Sequence, residues 1–209
     1  MCYRVQVNTG VEKIAQRFKV TVEKPEKLLF DSEINGFAYQ PLPVITSENP
    51  SVVTSEYSWG LIPAWCKDNT IRKNTLNAKI ETLEDKPAFR NAVGNRCLVI
   101  ATGYYEWRWL DEKGKVKEKY EIYSTEEAIF AFAGIYSTWI DPLTQEEYKT
   151  FSIITTQANP QMEYIHNMKK RMPVMLKKQD EMKWLDPNSD YSEFAFPRYN
   201  ADIIAFNNK

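Results

Sequence analysis

The sequence predicts an α+β fold in which one domain, residues 1–209, is built around a mostly antiparallel, barrel-like β-sheet with a few short helices. Aromatic residues make up 13% of the chain, which fits a β-rich structure. Strand-like apolar runs recur along the sequence, whereas helix-like spacing is confined to short segments. Neither a repeat nor a Gly/Ser-rich linker divides the chain, so a single domain is expected.

The amino-terminal half is read mainly as strands. Residues 2–7 alternate, with Cys2 and Arg4 on the polar face, which is the period of a half-buried strand and would hold the amino terminus in place. Apolar spacing over 11–19 predicts a short helix. Further strands are predicted over the runs 34–39, 52–61, 76–81, 96–109, 118–124, 128–138 and 148–156.

The carboxyl-terminal part combines two short helices with a strand. Asn159 and Pro160 resemble an N-cap and a first helical residue, which predicts a helix ending around His166. Residues 171–176 are predicted to form a strand and residues 177–185 a second short helix.

Composition excludes several classes of protein. The single histidine and the three cysteines, which lack Cys-x-x-Cys spacing, cannot assemble the usual zinc clusters, so neither a metal nor a cofactor is expected. The seven glycines are too far apart for a dinucleotide-binding or P-loop motif. A net charge of -1 gives no bulk attraction to nucleic acid. Without an apolar run of about 18 residues or a leader pattern, a cytoplasmic protein is expected.

Cys2 is the most informative position. If Met1 is removed, the chain begins with an α-amine and a thiol on one residue, and such an amine has a pKa of about 7.7 to 8.0. It can condense with an aldehyde to an imine, on which the thiol closes to a thiazolidine. The sulfur alone can also act as the nucleophile of a thiol hydrolase. Position alone favours the simpler interpretation that this cysteine is incidental.

Three other side chains are candidates for chemistry. Asn77 lies on the polar face of 76–81 and can hydrogen-bond the amine or carbonyl of Cys2, although an edge or turn residue is the simpler interpretation. Glu106 is backed by aromatic residues that can raise its pKa, with a solvated carboxylate as the alternative. His166 is the one imidazole; a structural role is the alternative, and a helix C-terminus would favour its charged form.

Five sequence blocks occur in the order found in one known family. They are Met1–Arg4, Trp59–Pro63 with Trp65, Asn77–Thr82, Gly103–Trp107, and His166 followed by Arg171–Pro173. Together they resemble the SOS-response-associated peptidase (SRAP) family of abasic-site processing proteins, and they cover the chain to about residue 176. The resemblance implies one α+β domain with a barrel-like sheet and a positively charged groove for single-stranded DNA.

The resemblance also implies an activity, a DNA-protein crosslinking reaction at abasic sites with possible autopeptidase action. Cys2 would form a thiazolidine with the ring-opened sugar, Asn77 would position it, Glu106 would transfer protons, and His166 would assist ring opening and reversal. The expected partner is single-stranded DNA with abasic sites, bound by a monomer that joins the nucleoid when on DNA. The implied DNA contacts are Arg4, Trp59, Trp65, Lys79, Arg171, Met172 and Pro173.

Two departures from the family pattern bear on the site. Four residues separate His166 from Arg171, three more than usual, and Lys79 stands where arginine is frequent, which keeps the charge but loses bidentate geometry. Two alternatives to the crosslinker remain: a thiol peptidase with Cys2 as its sulfur nucleophile, and a nucleic-acid-binding module without chemistry.

Overall fold

A computed structural model describes residues 2–207, and most of its strands belong to two β-sheets. Its strands are β1 (Arg4–Val7), β2 (Thr21–Val22), β3 (Asp31–Asn35), β4 (Val44–Thr46), β5 (Val52–Val53), β6 (Ser58–Trp59), β7 (Asn77–Lys79), β8 (Arg96–Ala101), β9 (Gly103–Trp109), β10 (Lys117–Ser124), β11 (Phe130–Ile140), β12 (Glu147–Gln157), β13 (Arg171–Pro173), β14 (Met175–Leu176) and β15 (Ile203–Asn207). The α-helices are α1 (Val11–Phe18), α2 (Pro160–Ile165) and α3 (Glu181–Leu185).

The larger sheet has the strand order β13-β12-β11-β8-β4, with β14 added on β11 and with β6 and β7 running parallel to β12. Every residue of β8 is buried, and β11 and β12 are buried over most of their length. Such continuous apolar runs are covered on both faces, which places them at the centre of the core. This sheet curls into a half-barrel, so the predicted α+β fold around a barrel-like sheet is confirmed.

The smaller sheet has the order β15-β10-β9-β1-β3 and is antiparallel between all neighbours. Strand β1 lies inside it, with Arg4 opposite Tyr105 of β9 and opposite Asn35 of β3. Because β1 is paired on both sides, the start of the chain is fixed, as the alternating pattern predicted.

The predicted run 96–109 proved to be two strands in different sheets. The break falls at Thr102, whose amide donates to the carbonyl of Gln6 at 2.9 Å while its hydroxyl accepts from the Asn8 amide at 2.9 Å. These contacts turn the chain out of the larger sheet and into the smaller one. Run 34–39 also stops early, because the Asn35 side chain accepts from the Phe37 amide at 3.1 Å and begins a 3₁₀ turn.

The helix ahead of His166 has the predicted form. Asn159 Oδ1 accepts a hydrogen bond from the Met162 amide at 2.8 Å, and Pro160 is the first helical residue. This N-cap fixes where α2 begins and therefore where His166, the residue after its last turn, is held against β9. The first helix is also present as predicted, whereas β4 and β15 were not predicted.

Candidate active site

Asn77, in the larger sheet, contacts Cys2, which lies two residues before β1 of the smaller sheet. It is the first residue of β7, lies opposite Ile153 of β12 and is 9% exposed. Its Nδ2 donates to the main-chain carbonyl of Cys2 at 2.8 Å across 75 positions of sequence. Its Oδ1 is buried and has no hydrogen-bond partner within residues 2–207, so it can accept one more hydrogen bond at this place.

The Cys2 side chain is fully buried, although the alternation of residues 2–7 predicted it on the polar face of the strand. It packs in the core cluster, and its Sγ contacts the Arg4 carbonyl at 3.9 Å. Burial, and then the charge of Glu106, raise the pKa of the thiol well above its usual value. At neutral pH the sulfur is therefore a protonated thiol and a weak nucleophile. Met1 lies outside the described residues, so its predicted removal stays a prediction.

Glu106 is a buried carboxyl group close to Cys2. It lies on β9 and is 4% exposed, and burial raises its pKa to about 7. At neutral pH the acid and the carboxylate are both populated, which is what a group that takes up and returns protons requires. Tyr104, two residues earlier on the same face, is also buried, and its hydroxyl donates to the Met162 sulfur at 3.5 Å.

His166 lies beside Glu106 despite the longer loop that follows it. Its Nε2 is 3.9 Å from Glu106 Oε2. Its Nδ1 is 2.9 Å from the Arg171 carbonyl and 3.3 Å from the Arg171 amide. The shorter contact, to the carbonyl, assigns the proton to Nδ1 and leaves Nε2 as the acceptor. Burial lowers the pKa of His166 to about 4, so the prediction that the helix end favours the charged form is wrong. Desolvation outweighs the helix dipole here.

These four residues, Cys2, Asn77, Glu106 and His166, are called the inner site below. They come from positions far apart in sequence and are brought together by the contacts just described. The inner site offers a buried acid that is half ionised near pH 7, a neutral imidazole and an unfilled amide acceptor. Such a set can move protons at a group held against Cys2.

Arg4 and Lys79 each follow a residue of the inner site by two positions, and Arg171 contacts His166, but two of these three predicted phosphate-binding cations are already paired. Arg4 Nη1 lies 2.5 Å from Glu33 Oε1. Arg171 makes a two-pronged pair with Glu81, at 2.9 and 2.8 Å. Lys79 is exposed on β7. We call these three cations and the two glutamates the rim. Glu33 and Glu81 were missed as site residues because pairs separated by 29 and 90 positions leave no local signal in the sequence.

Three of the predicted DNA contacts are corrected by the structure. The Trp59 ring is fully buried, lies parallel to that of Phe151 and donates to the Leu76 carbonyl at 2.7 Å, so it has no open face for a base. Met172 is 7% exposed and Pro173 is buried, both within β13. Their side chains are therefore part of the core and do not offer a surface to DNA.

Trp65 is the exception among the predicted stacking residues. Its side chain is 54% exposed, and its Nε1 donates to the Pro87 carbonyl at 3.2 Å. It lines a cavity together with Ser137 and Thr138. These two residues of β11 pair with residues 149–150 of β12, whereas Asn77 pairs with Ile153, farther along that strand. An exposed indole is free to stack, but this one lies away from the inner site.

Residues 2–207 contain neither a metal-ion cluster nor a membrane-spanning helix. No three histidine, cysteine or carboxylate side chains come together there in a way that could hold a metal ion. No helix in that part of the chain is long and apolar enough to cross a membrane.

The fold and the inner site together define an α+β protein in which Cys2 lies beside a buried acid and a neutral imidazole. The chain belongs to the SOS response associated peptidase (SRAP) family, whose model matches residues 1–202. The family resemblance indicated by the five sequence blocks is thus confirmed.

Curated relatives and a solved structure agree with this assignment. The chain is 36% identical over 206 residues to the abasic site processing protein YoqW of Bacillus subtilis, covering 97% of this chain and 89% of that protein. It is 32% identical over 158 residues to the abasic site processing protein HMCES of Gallus gallus, covering 64% of this chain and 45% of that protein. An X-ray structure of a protein from Bacteroides thetaiotaomicron superposes with a TM-score of 0.87 at 36% identity, covering 100% of this chain and 92% of that one.

Proposed function

We propose that this protein processes abasic sites in single-stranded DNA, and that it does so by forming a covalent thiazolidine crosslink through Cys2 after Met1 is removed. The observation that carries the proposal is Glu106, a buried acid with a pKa of about 7, within electrostatic reach of a Cys2 whose carbonyl is fixed by Asn77. The names of the relatives, abasic site processing proteins, point to the same substrate.

The first step is made by nitrogen rather than sulfur. Removal of Met1 turns the Cys2 nitrogen into an α-amine with a pKa of about 7.7 to 8.0. The Glu106 carboxylate accepts a proton from the ammonium form, and the free amine then attacks the aldehyde carbon of the ring-opened sugar. A carbinolamine forms, with the amine proton passing to the former carbonyl oxygen. Asn77 Oδ1, the unfilled acceptor, is suited to orient the attacking N–H.

Two further steps complete the crosslink. Protonated Glu106 returns its proton to the carbinolamine hydroxyl, which leaves as water and gives an iminium ion. The thiol sulfur then adds to the iminium carbon while the Glu106 carboxylate takes up the thiol proton, which closes a neutral five-membered thiazolidine ring. The sum is one aldehyde and one aminothiol giving one thiazolidine and one water, with no oxidant or reductant. His166, neutral at this pH, can take up the sugar hydroxyl proton during ring opening through Nε2.

The two alternative functions fit the inner site less well. A thiol peptidase needs a thiolate at neutral pH, whereas burial raises the pKa of the Cys2 thiol. The neighbouring Glu106 raises it further, because a negative charge opposes ionisation of the sulfur. A binding module without chemistry would have no use for Glu106 and His166 in a buried cluster, where both have strongly shifted pKa values.

The proposal is tested by removing the thiol of Cys2 while keeping its α-amine. Incubated with an abasic single-stranded oligonucleotide, the wild-type protein should gain the mass of the DNA less one water. Cys2→Ala and Cys2→Ser both keep the amine but lack the thiol, so each should give only an imine that needs borohydride to survive and no stable adduct without it. Both variants should keep their affinity for the DNA. Undiminished stable adduct in Cys2→Ala, or cleavage of unrelated peptides without any adduct, would contradict the proposal.

A further inference from the structure

Residues 167–170, which follow His166, form a loop with a defined conformation. Asn167 makes two hydrogen bonds with the main chain of Trp109: its Oδ1 accepts from the amide at 3.1 Å and its Nδ2 donates to the carbonyl at 2.9 Å. At the other end, the Lys170 amide donates to the His166 carbonyl at 2.9 Å, with Lys170 in the left-handed region at φ 48°. The loop is therefore clamped onto the end of β9, the strand that carries the buried acid.

The two lysines of this loop differ in their surroundings. Lys170 is paired with Glu163, at 4.0 Å. Lys169 is exposed and forms no ion pair with any residue in the described part of the chain. Its positive charge contributes to lowering the pKa of both Glu106 and His166, so its ammonium group lies within electrostatic reach of the inner site.

The two arginines of the rim differ from Lys169, because each of them is already paired with a carboxylate. A phosphate that approaches Arg4 or Arg171 must displace the carboxylate that already occupies each guanidinium. At Lys169 it has nothing to displace. We propose that Lys169 binds the DNA phosphate nearest the abasic sugar and that the clamped loop 167–170 serves to hold it there. This inference rests on the proposed function and adds a substrate-binding residue to it.

The first test compares the two lysines as a matched pair. In a Cys2→Ala protein, which cannot form the thiazolidine, binding is measured to a single-stranded oligonucleotide with a central tetrahydrofuran abasic-site analogue. Lys169→Gln should weaken binding about fivefold, the effect of one exposed charge contact. It should also reduce the slope of log affinity against log salt by about 0.7. Lys170→Gln removes the same charge from the same loop and should change affinity less than twofold.

The second test locates the contact on the DNA. Each phosphate flanking the analogue is replaced in turn by an uncharged methylphosphonate. One of the two replacements should weaken binding by the protein with Lys169 but not by the Lys169→Gln variant. This inference alone is overturned if Lys169→Gln and Lys170→Gln reduce the affinity for DNA equally. It is also overturned if each methylphosphonate weakens binding by the Lys169→Gln variant as much as binding by the protein with Lys169. Absence of any binding by the Cys2→Ala protein overturns the proposed function together with it.

Discussion

Glu106 of the inner site is buried and about half ionised near pH 7, and His166 is buried and neutral, whereas Arg4 and Arg171 of the rim each contact a glutamate. The difference follows from solvent and from charge partners. Where water is excluded and no opposite charge is in contact, the free energy of holding a charge rises and pKa values move toward the neutral forms. Each guanidinium group of the rim is balanced by a carboxylate, although the Arg171 side chain is only 12% exposed. In the proposed function, proton transfer is therefore assigned to the inner site and recognition of a phosphate backbone to its surroundings.

The largest effect is expected from removing the acid of the inner site. Glu106→Gln keeps the shape of the side chain but cannot exchange a proton, so adduct formation should slow by about 10²–10⁴-fold. The matched control is Glu118→Gln on the neighbouring strand β10, whose carboxylate is partly exposed and lies 3.9 Å from Arg108. Single-turnover rates of adduct formation measure both variants. If Glu106→Gln and Glu118→Gln form the adduct at the same rate, the buried carboxyl group of Glu106 has no role in proton transfer.

The next effect concerns stability and compares a buried with an exposed tryptophan. Trp59→Ala leaves a cavity beneath Phe151 and removes the hydrogen bond to Leu76, so unfolding should become easier by about 3–5 kcal/mol. Trp65→Ala, at a 54% exposed position, should cost less than about 1 kcal/mol. Urea unfolding of both variants checks this. If Trp59→Ala unfolds like the wild type but binds DNA more weakly, then Trp59 stacks on a base, as the sequence predicted, and its burial does not prevent it.

A smaller effect is expected in the pH dependence of stability, and it has opposite signs for the two buried groups. The pKa of Glu106 is raised from 4.5 to about 7, so its contribution to stability is full below 4.5 and is lost as pH rises toward 7. The pKa of His166 is lowered from 6.5 to about 4, so its contribution is full above 6.5 and is lost as pH falls toward 4. In the wild type the two trends oppose each other between these limits.

Single variants should uncover the separate trends. Between pH 4.5 and 6.5, His166→Gln should become less stable as pH rises and Glu106→Gln more stable. The slope in each case should not exceed about 1.4 kcal/mol per pH unit, the value for one proton. Urea unfolding at several pH values measures it. If the free energy of unfolding changes with pH in the same direction in both variants, burial does not shift the pKa of at least one of Glu106 and His166 as described.

Much of the fold could be predicted because its signals are local. The alternation in residues 2–7 and the Asn159-Pro160 pair each specify an element through neighbouring residues. The break at Thr102 could not be predicted, because it depends on hydrogen bonds to Gln6 and Asn8, about 95 residues away in sequence. Likewise β15 is recognisable as a strand only through its pairing with β10.

The sequence indicated which residues form the inner site, but not how deeply each of them is buried or which charges they contact. Motif blocks identified Cys2, Asn77, Glu106 and His166, and the structure brings them together. Burial decides whether a side chain is an acid, a core residue or a surface contact, and burial is a property of the whole fold. That is why Trp59 was misassigned and why the glutamate partners of Arg4 and Arg171 were not anticipated.

The most direct test of the central claim locates the crosslink at the level of atoms. After reaction with an abasic oligonucleotide, nuclease digestion, thiol alkylation and proteolysis, the amino-terminal peptide is sequenced by tandem mass spectrometry. The account predicts that Met1 is absent, that the sugar remnant lies on Cys2, and that the Cys2 sulfur resists alkylation while Cys66 accepts it. An adduct on a lysine, or an adduct on a chain that still carries Met1, would contradict it.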